Sequence, residues 1–408
     1  MLDGIDDIDW ARLGHAYGAA EDVPGQLRAL LSPDPADRDE ALGDLYTNVF
    51  HQGSRFEASA YAVPFLLEML GDPATPDPAA VLGLLSALAV GYDEGVLPEG
   101  FPVADYRRAA EGGRELLAAK PPPWTGEDES EKEYVEYAYV ESLSAADQGR
   151  LWAYVEVATY DAVRAGVPVF RTLLEHSDPG VRAVAAYTLA WFSEEADGSV
   201  AALGRAIDAA RAPGVASTPG EVATMLVASG LLGAAPDVRW LTDPHPLVRW
   251  AAAVGRVRVL GAETDPATVE ELLGWAAGAA APVEGEWVPI LGGDLGGYAG
   301  LALRQLGPQH EDRAFDALLD RLPTVSGERS LTVLGAALRL AFPDGPAAAG
   351  TPAAALAPRQ RRLAEVLARS TEPWLIDGQE FGNVSMLAAE HGLPRSRQAM
   401  RSYLAEVQ

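Results

Sequence analysis

The chain has 408 residues, 59 acidic and 31 basic, giving a formal charge of −28 and a pI near 4.5. With 48% hydrophobic residues it can bury a core, and with no cysteine it has neither disulfides nor thiolate metal sites. So negative a surface repels phosphate backbones and anionic lipid, which argues against generic nucleic-acid or membrane-surface binding.

The chain begins MLDGIDDIDW, with acid where a secretory signal carries positive charge. Its apolar stretches are broken before the roughly 18 residues that a membrane span needs. A cytoplasmic protein is expected. The first helix-pair signals are "DPADRDEALGDLY" from Asp34, "HQGSRFEASAYAVPFLLEML" (51–70) and "PDPAAVLGLLSALA" from Pro76. His51 lies beside Gln52, Arg55 and Glu57 at the entry to a helix, where a turn-capping role suits it better than a catalytic one. Residues 1–120 thus read as an N-terminal helical subarray.

A triple proline, Pro121 to Pro123, opens a break over 121–145. Lys132 is the only cation among the many carboxylates of 121–141, and Trp124, Tyr134, Tyr137 and Tyr139 are interleaved with Glu129 and Glu133. Rings bury area and carboxylates steer approach, so these six residues are the candidate contacts for a basic partner. The plainer reading, and the one we favour, is a solvated helix whose rings pack inward, as Trp152, Tyr154 and Tyr160 after it would also do.

Residues 146–345 carry the clearest periodicity. In "LLEHSDPGVRAVAAYTLAWF" (173–192), Asp178-Pro179 supplies a cap and a first helical turn. Val181, Val184, Ala185, Leu189 and Phe192 then fall on one face. Before the turn, Val169, Leu173 and Leu174 mark another amphipathic run. "HPLVRWAAAVGRV" (245–257) repeats "DPGVRAVAAYTLA" (178–190) at an offset of 67 residues: Val248 matches Val181, and Arg249 matches Arg182. Weaker copies begin at Thr218, Gly293 and Ser326. "GGDLGGYAG" from Gly292 reads as a turn into a helix, with Trp287 before it anchored in a groove. The Ala/Pro/Gly-rich stretch 342–360 reads as a flexible connection, and 346–408 as a C-terminal helical cap.

Helix, Asp-Pro turn, Val-Arg and paired small residues together resemble HEAT repeats, including the HEAT-like repeats of phycobilin lyases. Pro168, Val181 and Arg182 match the family's Pro and Val-Arg positions, and Asp243, Val248 and Arg249 its Asp and Val-Arg positions. The resemblance implies an all-α fold, an α-α superhelix or α-solenoid, with Asp178, Val181, Arg182, Asp243, Val248 and Arg249 in structural roles. It also implies an inter-repeat Asp–Arg ladder, in doubt where His176 replaces the family's Asp. The stretch from His51 and the C-terminal "FGNVSMLAAEHGLPRSR" are similar to segments of HEAT-repeat proteins of high-GC bacteria whose function is generally unassigned.

Nucleophile elbow, P-loop, HExxH and dinucleotide motifs are missing from the sequence. The six histidines stand singly, and His310-Glu311 is the only His-Glu dipeptide, whereas the HEAT-repeat deoxyhypusine hydroxylases use several. Trp240, Trp250, Arg239, Arg249 and Asp243 are the residue types that HEAT-like DNA glycosylases place in a groove. Asp243 and Arg249 are already accounted for by the repeat, and the net charge has the wrong sign for a duplex. The expectation is a non-catalytic scaffold without a cofactor that binds a protein or peptide partner, basic by charge. A DNA glycosylase-like or bilin lyase-like enzyme is the alternative.

Overall fold

The computed structural model describes residues 2–121, 138–278, 287–348 and 350–405. The chain is mostly helical, with strands confined to three two-residue hairpins among the described residues. No described helix is long and apolar enough to cross a membrane. Two compact units divide it, Met1–Ser217 and Thr218–Gln408.

The first unit holds α1 (Val23–Ala29), α2 (Pro35–Asn48), α3 (Glu57–Leu70), α4 (Pro78–Val90), α5 (Val103–Ala109), α6 (Gly113–Ala118), α7 (Ala145–Arg164), α8 (Val167–Leu173), α9 (Pro179–Leu189) and α10 (Ala196–Ala210). Hairpin β1 (Gly14–His15)/β2 (Gly18–Ala19) precedes α1, and β3 (Phe50–His51)/β4 (Ser54–Arg55) joins α2 to α3. Successive helices pair as α1–α2, α3–α4 and α8–α9. Alternate ones also touch: α1 packs on α3, α2 on α4 and α8 on α10. The 20-residue α7 packs on α3, α4, α5 and α6, so helices before and after 121–145 share one unit.

Burial explains that arrangement. In α9, Val181, Val184, Ala185 and Leu189 are buried, and so are Ala183 and Ala186. A helix apolar on that much of its circumference needs neighbours on several sides. In α8 the buried stripe is Val167, Phe170 and Leu174, not Val169 and Leu173. Two stripes compete there at helical spacing, and the larger ring takes the inside.

The repeated turn has one geometry in three places. Ahead of α2, α9 and, in the second unit, α12 (Pro246–Leu260), an acceptor side chain takes the backbone N–H two residues on. The acceptors are Ser32 Oγ (3.1 Å), His176 Nδ1 (3.1 Å) and Asp243 Oδ1 (2.9 Å). An arginine in the first turn of the helix then folds back. Nη1 of Arg38 donates to the Ser32 and Pro33 carbonyls, Nη1 of Arg182 to those of His176 and Ser177, and Nη1 of Arg249 to those of Asp243 and Pro244. His176 therefore stands in for the aspartate instead of breaking the turn. Each arginine also reaches the chain that follows. Arg38 Nε donates to Asp77 Oδ2 at the start of α4 (2.6 Å), Arg182 Nη2 to the Ala216 carbonyl (2.8 Å), and Arg249 Nε lies 3.5 Å from Glu271. Asp178 caps α9 by accepting the Gly180 N–H, and Val181 and Val248 are buried beside their arginines.

The second unit holds α11 (Pro219–Leu231), α12, α13 (Pro266–Ala276), α14 (Leu295–Ala302), α15 (Glu311–Arg321), α16 (Glu328–Ala341), α17 (Pro358–Arg369), α18 (Gly382–Glu390) and α19 (Arg397–Ala405), with hairpin β5 (Leu375–Ile376)/β6 (Gln379–Glu380). Here too each helix packs on the next or next but one: α12 on α14, α13 on α15, α14 on α16. The glycine cluster turns through Leu291, Gly292 and Gly293 at positive φ, and Asp294 then caps α14 through the Gly297 N–H. Two sequence expectations fail here. Trp287 is 57% exposed, not anchored, and 342–360 is not a free connection, because Phe342, Ala353 and Leu356 are buried and Ala347 N donates to the His391 carbonyl. Apolar side chains spaced among the Ala and Pro fix that stretch.

Helices α11 and α12 cross so closely that a Cβ on Gly230 would lie 2.4 Å from Gly255 Cα, and one on Gly255 2.9 Å from the Leu226 carbonyl oxygen. Gly255→Ala should cost about 1–3 kcal/mol or more through overpacking, whereas Gly335→Ala, in α16 with open space, should leave stability unchanged or raise it. Thermal unfolding of the two variants checks this.

Asp265, the N-cap of α13, accepts Arg256 Nη2 (2.7 Å), the Thr268 N–H (3.0 Å) and the Thr268 hydroxyl (2.8 Å). Burial pushes its pKa up, but these bonds outweigh it and hold the carboxyl at about 2, below the usual 3.8. Its contribution is therefore complete above about pH 4 and is lost as the pH falls through about 2. Asp265→Asn should cost about 1 kcal/mol at neutral pH, with the difference from wild type closing on acidification. Thermal unfolding across that pH range measures it.

Candidate functional site

A recess in the first unit is assembled by two turns and a helix end. Hairpin β3/β4 turns through Gln52 and Gly53, both at positive φ, and delivers Phe56 as the N-cap of α3. Ser59 Oγ accepts the Phe56 N–H (2.7 Å) and donates to the Val49 carbonyl (2.6 Å), fixing the first turn of α3. Glu57 is thereby aimed sideways. Its carboxylate accepts the Gly14 N–H of β1 (2.8 Å) and the Lys120 ammonium (3.1 Å) just beyond α6. Both partners of this pair are mostly buried, at 19% and 14% side-chain exposure. Pairing at that depth is helped by the second bond that Glu57 accepts from Gly14.

Helix α6 lies against α7 at Gly113, where a Cβ would come within 2.2 Å of the Arg150 carbonyl oxygen. That contact brings Arg114 and Leu117 alongside Tyr154, Val155 and Ala158 of α7. The result is a groove of about 590 Å³, floored by Leu13, Phe56, Ala60, Leu117 and Val155 and edged by Arg12, Tyr61, Arg114 and Tyr154. A smaller pocket of about 100 Å³ adjoins it through Phe56, Glu57, Leu117, Lys120 and Val155, and adds His15 and Trp152. Tyr61 and Trp152 are 48% and 43% exposed.

Glu57, Lys120 and His15 of the recess are committed to structure. His15 Nδ1 accepts the Tyr17 N–H (3.0 Å), and its Nε2 lies 3.1 Å from Asp22 Oδ1. Asp22 in turn accepts from Asn48 Nδ2 (2.8 Å). Behind the groove Arg55 pairs with Glu156 of α7 at 3.1 Å and donates to the Gly53 carbonyl at 2.7 Å. Burial lowers the Arg55 pKa and raises that of Glu156, each opposed by the charge of the other. These bonds rigidify the walls. A recess with fixed walls, an apolar floor and aromatic edges is suited to recognition.

The sequence candidates are distributed differently. Trp124, Glu129, Glu133, Tyr134 and Tyr137 lie outside the described residues. Tyr139 is half-buried, and its hydroxyl donates to the Leu116 carbonyl of α6 (2.7 Å), one residue from the groove floor. His51 is no turn cap: it sits in β3 with its ring edge-on to Tyr17, and His15 and His176 do the capping instead. The glycosylase-like set does not gather at a surface. Trp250 is fully buried, with its indole N–H donating to the Leu295 carbonyl, and Arg249 is spent on its turn. Tyr160 packs inward as expected, whereas Trp152 does not. The groove residues Arg12, Tyr61 and Arg114 carry no motif. The nearest signal is Lys120, one of two lysines in a chain rich in arginine.

No protein-family model matches the chain, and no curated protein matches it significantly.

Glu57→Ala leaves the Lys120 ammonium and the Gly14 N–H without their acceptor and should cost about 2–3 kcal/mol, somewhat less than for a fully buried pair. Lys120→Met, which leaves Glu57 bonded to Gly14, should cost less. Paired denaturation curves decide; equal losses would show that the Gly14 bond contributes nothing.

Proposed function

We propose that the protein is a non-catalytic scaffold of HEAT-type helix pairs, an α-solenoid in design, that binds a protein or peptide partner in the groove between β1, α3, α6 and α7. The observation that carries this reading is the exposure of Trp152 and Tyr61 at a recess where Glu57, Lys120 and His15 are already hydrogen-bonded to the fold. Trp, Tyr and Arg are the residue types that anchor partners most often, and a rigid recess lowers the ordering cost of binding. The HEAT-type reading is supported by the three arginine-closed turns and by the bond from Arg38 to Asp77, the N-cap of α4. Beyond the groove, the −28 charge favours a partner whose remaining surface is basic.

A photo-crosslinking residue placed at Tyr61 or Trp152 in the full chain should give one discrete adduct in the native cell. The same residue at Val238, also exposed, should give none. Adducts at all three positions alike, or none at the groove, count against the reading.

A further inference from the structure

We infer that the groove receives an acidic peptide segment of the partner, one whose carboxylates flank a large apolar side chain. This rests on the binding reading above and specifies its ligand.

The argument is charge complementarity in a chain where free cations are scarce. Acidic residues outnumber basic ones 59 to 31, so most arginines find a carboxylate. In the first unit, Arg28 pairs with Asp6, Arg38 with Asp77, Arg55 with Glu156, Arg107 with Asp161, Arg108 with Asp105 and Arg150 with Asp147. Arg12 and Arg114 are exposed and have no ion-pair partner among the described residues, and both edge the same groove. With Lys120 they set three cations around the larger groove against one carboxylate among the described lining residues, Glu57. That carboxylate is itself neutralised by Lys120. The local sign is therefore opposite to that of the whole molecule. At physiological ionic strength charges act over about 8 Å, so the cations lining the groove weigh most on a ligand seated in it.

The apolar part of the recess selects the kind of anion. A bare phosphate or nucleic-acid backbone would leave Leu13, Phe56, Leu117 and Val155 uncovered and the exposed rings of Tyr61 and Trp152 without contact. A peptide covers both: its carboxylates meet Arg12 and Arg114 as bidentate pairs, and an apolar side chain fills the floor between them.

The probe is a fluorescein-labelled short peptide of glutamate and aspartate around one phenylalanine and two leucines, measured by anisotropy with the full chain. Binding should weaken at least about tenfold in the double variant Arg12→Glu/Arg114→Glu, and less in Arg12→Ala/Arg114→Ala. Both positions are exposed, and an unchanged Tm confirms that each variant folds. Raising the salt should weaken binding as well. A lysine-substituted copy of the peptide binding equally well, or an affinity unmoved by either double variant, overturns the inference. Polyphosphate displacing the peptide at equal charge overturns it too, as it would mark a simple anion site. Binding seen only in a chain lacking residues 122–137 would make that acidic stretch the occupant, and would equally overturn it. A crosslink at Tyr61 or Trp152 without peptide binding sinks the acidic ligand alone; the absence of both sinks the binding function with it.

Discussion

The interaction on which the described architecture most depends is an arginine turned back on its own helix start. Short helices joined by tight turns leave carbonyls facing away from any ladder, and a buried unpaired carbonyl costs as much as a lost hydrogen bond. At Arg38, Arg182 and Arg249 one guanidinium satisfies two such carbonyls and has donors left for the segment that follows. Lysine could not do this, because a single ammonium has neither the span nor the planar fork. The preference for arginine over lysine, which has only Lys120 and Lys132 in the whole chain, has a structural cause at these turns.

The same turns show how far composition can mislead. His176 breaks the expected pattern by residue type but keeps it by chemistry, because an imidazole Nδ1 and a carboxylate Oδ1 are equivalent acceptors for the N–H two residues ahead. Ser32 is a third solution. What recurs is an acceptor, a proline-led helix and an arginine, and only the last two are readable as letters.

Helix starts were accordingly the most legible feature. The stretches marked from Asp34, Pro76, Asp178, Thr218, Gly293 and Ser326 each lead into a helix, through an Asp-Pro or Thr-Pro cap where one is present. Which face is buried was less legible. In α8 two stripes fit the helical period equally, and only packing separates Phe170 from Leu173. Trp287 and 342–360 show the limit of residue-type reasoning in opposite directions, one a large ring left in solvent and the other a loop-like composition fastened by Phe342 and Leu356. The groove was illegible for a further reason. Its parts come from residues 12, 57, 61, 114, 120 and 152, brought together by a hairpin, a helix start and a close helix contact at Gly113. No local pattern encodes a meeting of that kind.

Charge behaves in the same way. A net value of −28 describes the field beyond a Debye length and disfavours a polyanion spread over the surface. It says little about a recess a few residues wide, where the outcome turns on which side chains have already been paired. In the first unit most arginines are consumed by nearby acids, and each pairing removes a cation from the surface. The acidic excess therefore sharpens the meaning of the exceptions. Where carboxylates are abundant, two exposed guanidiniums with no carboxylate partner among the described residues, facing a single apolar floor, mark the place where an outside carboxylate gains most.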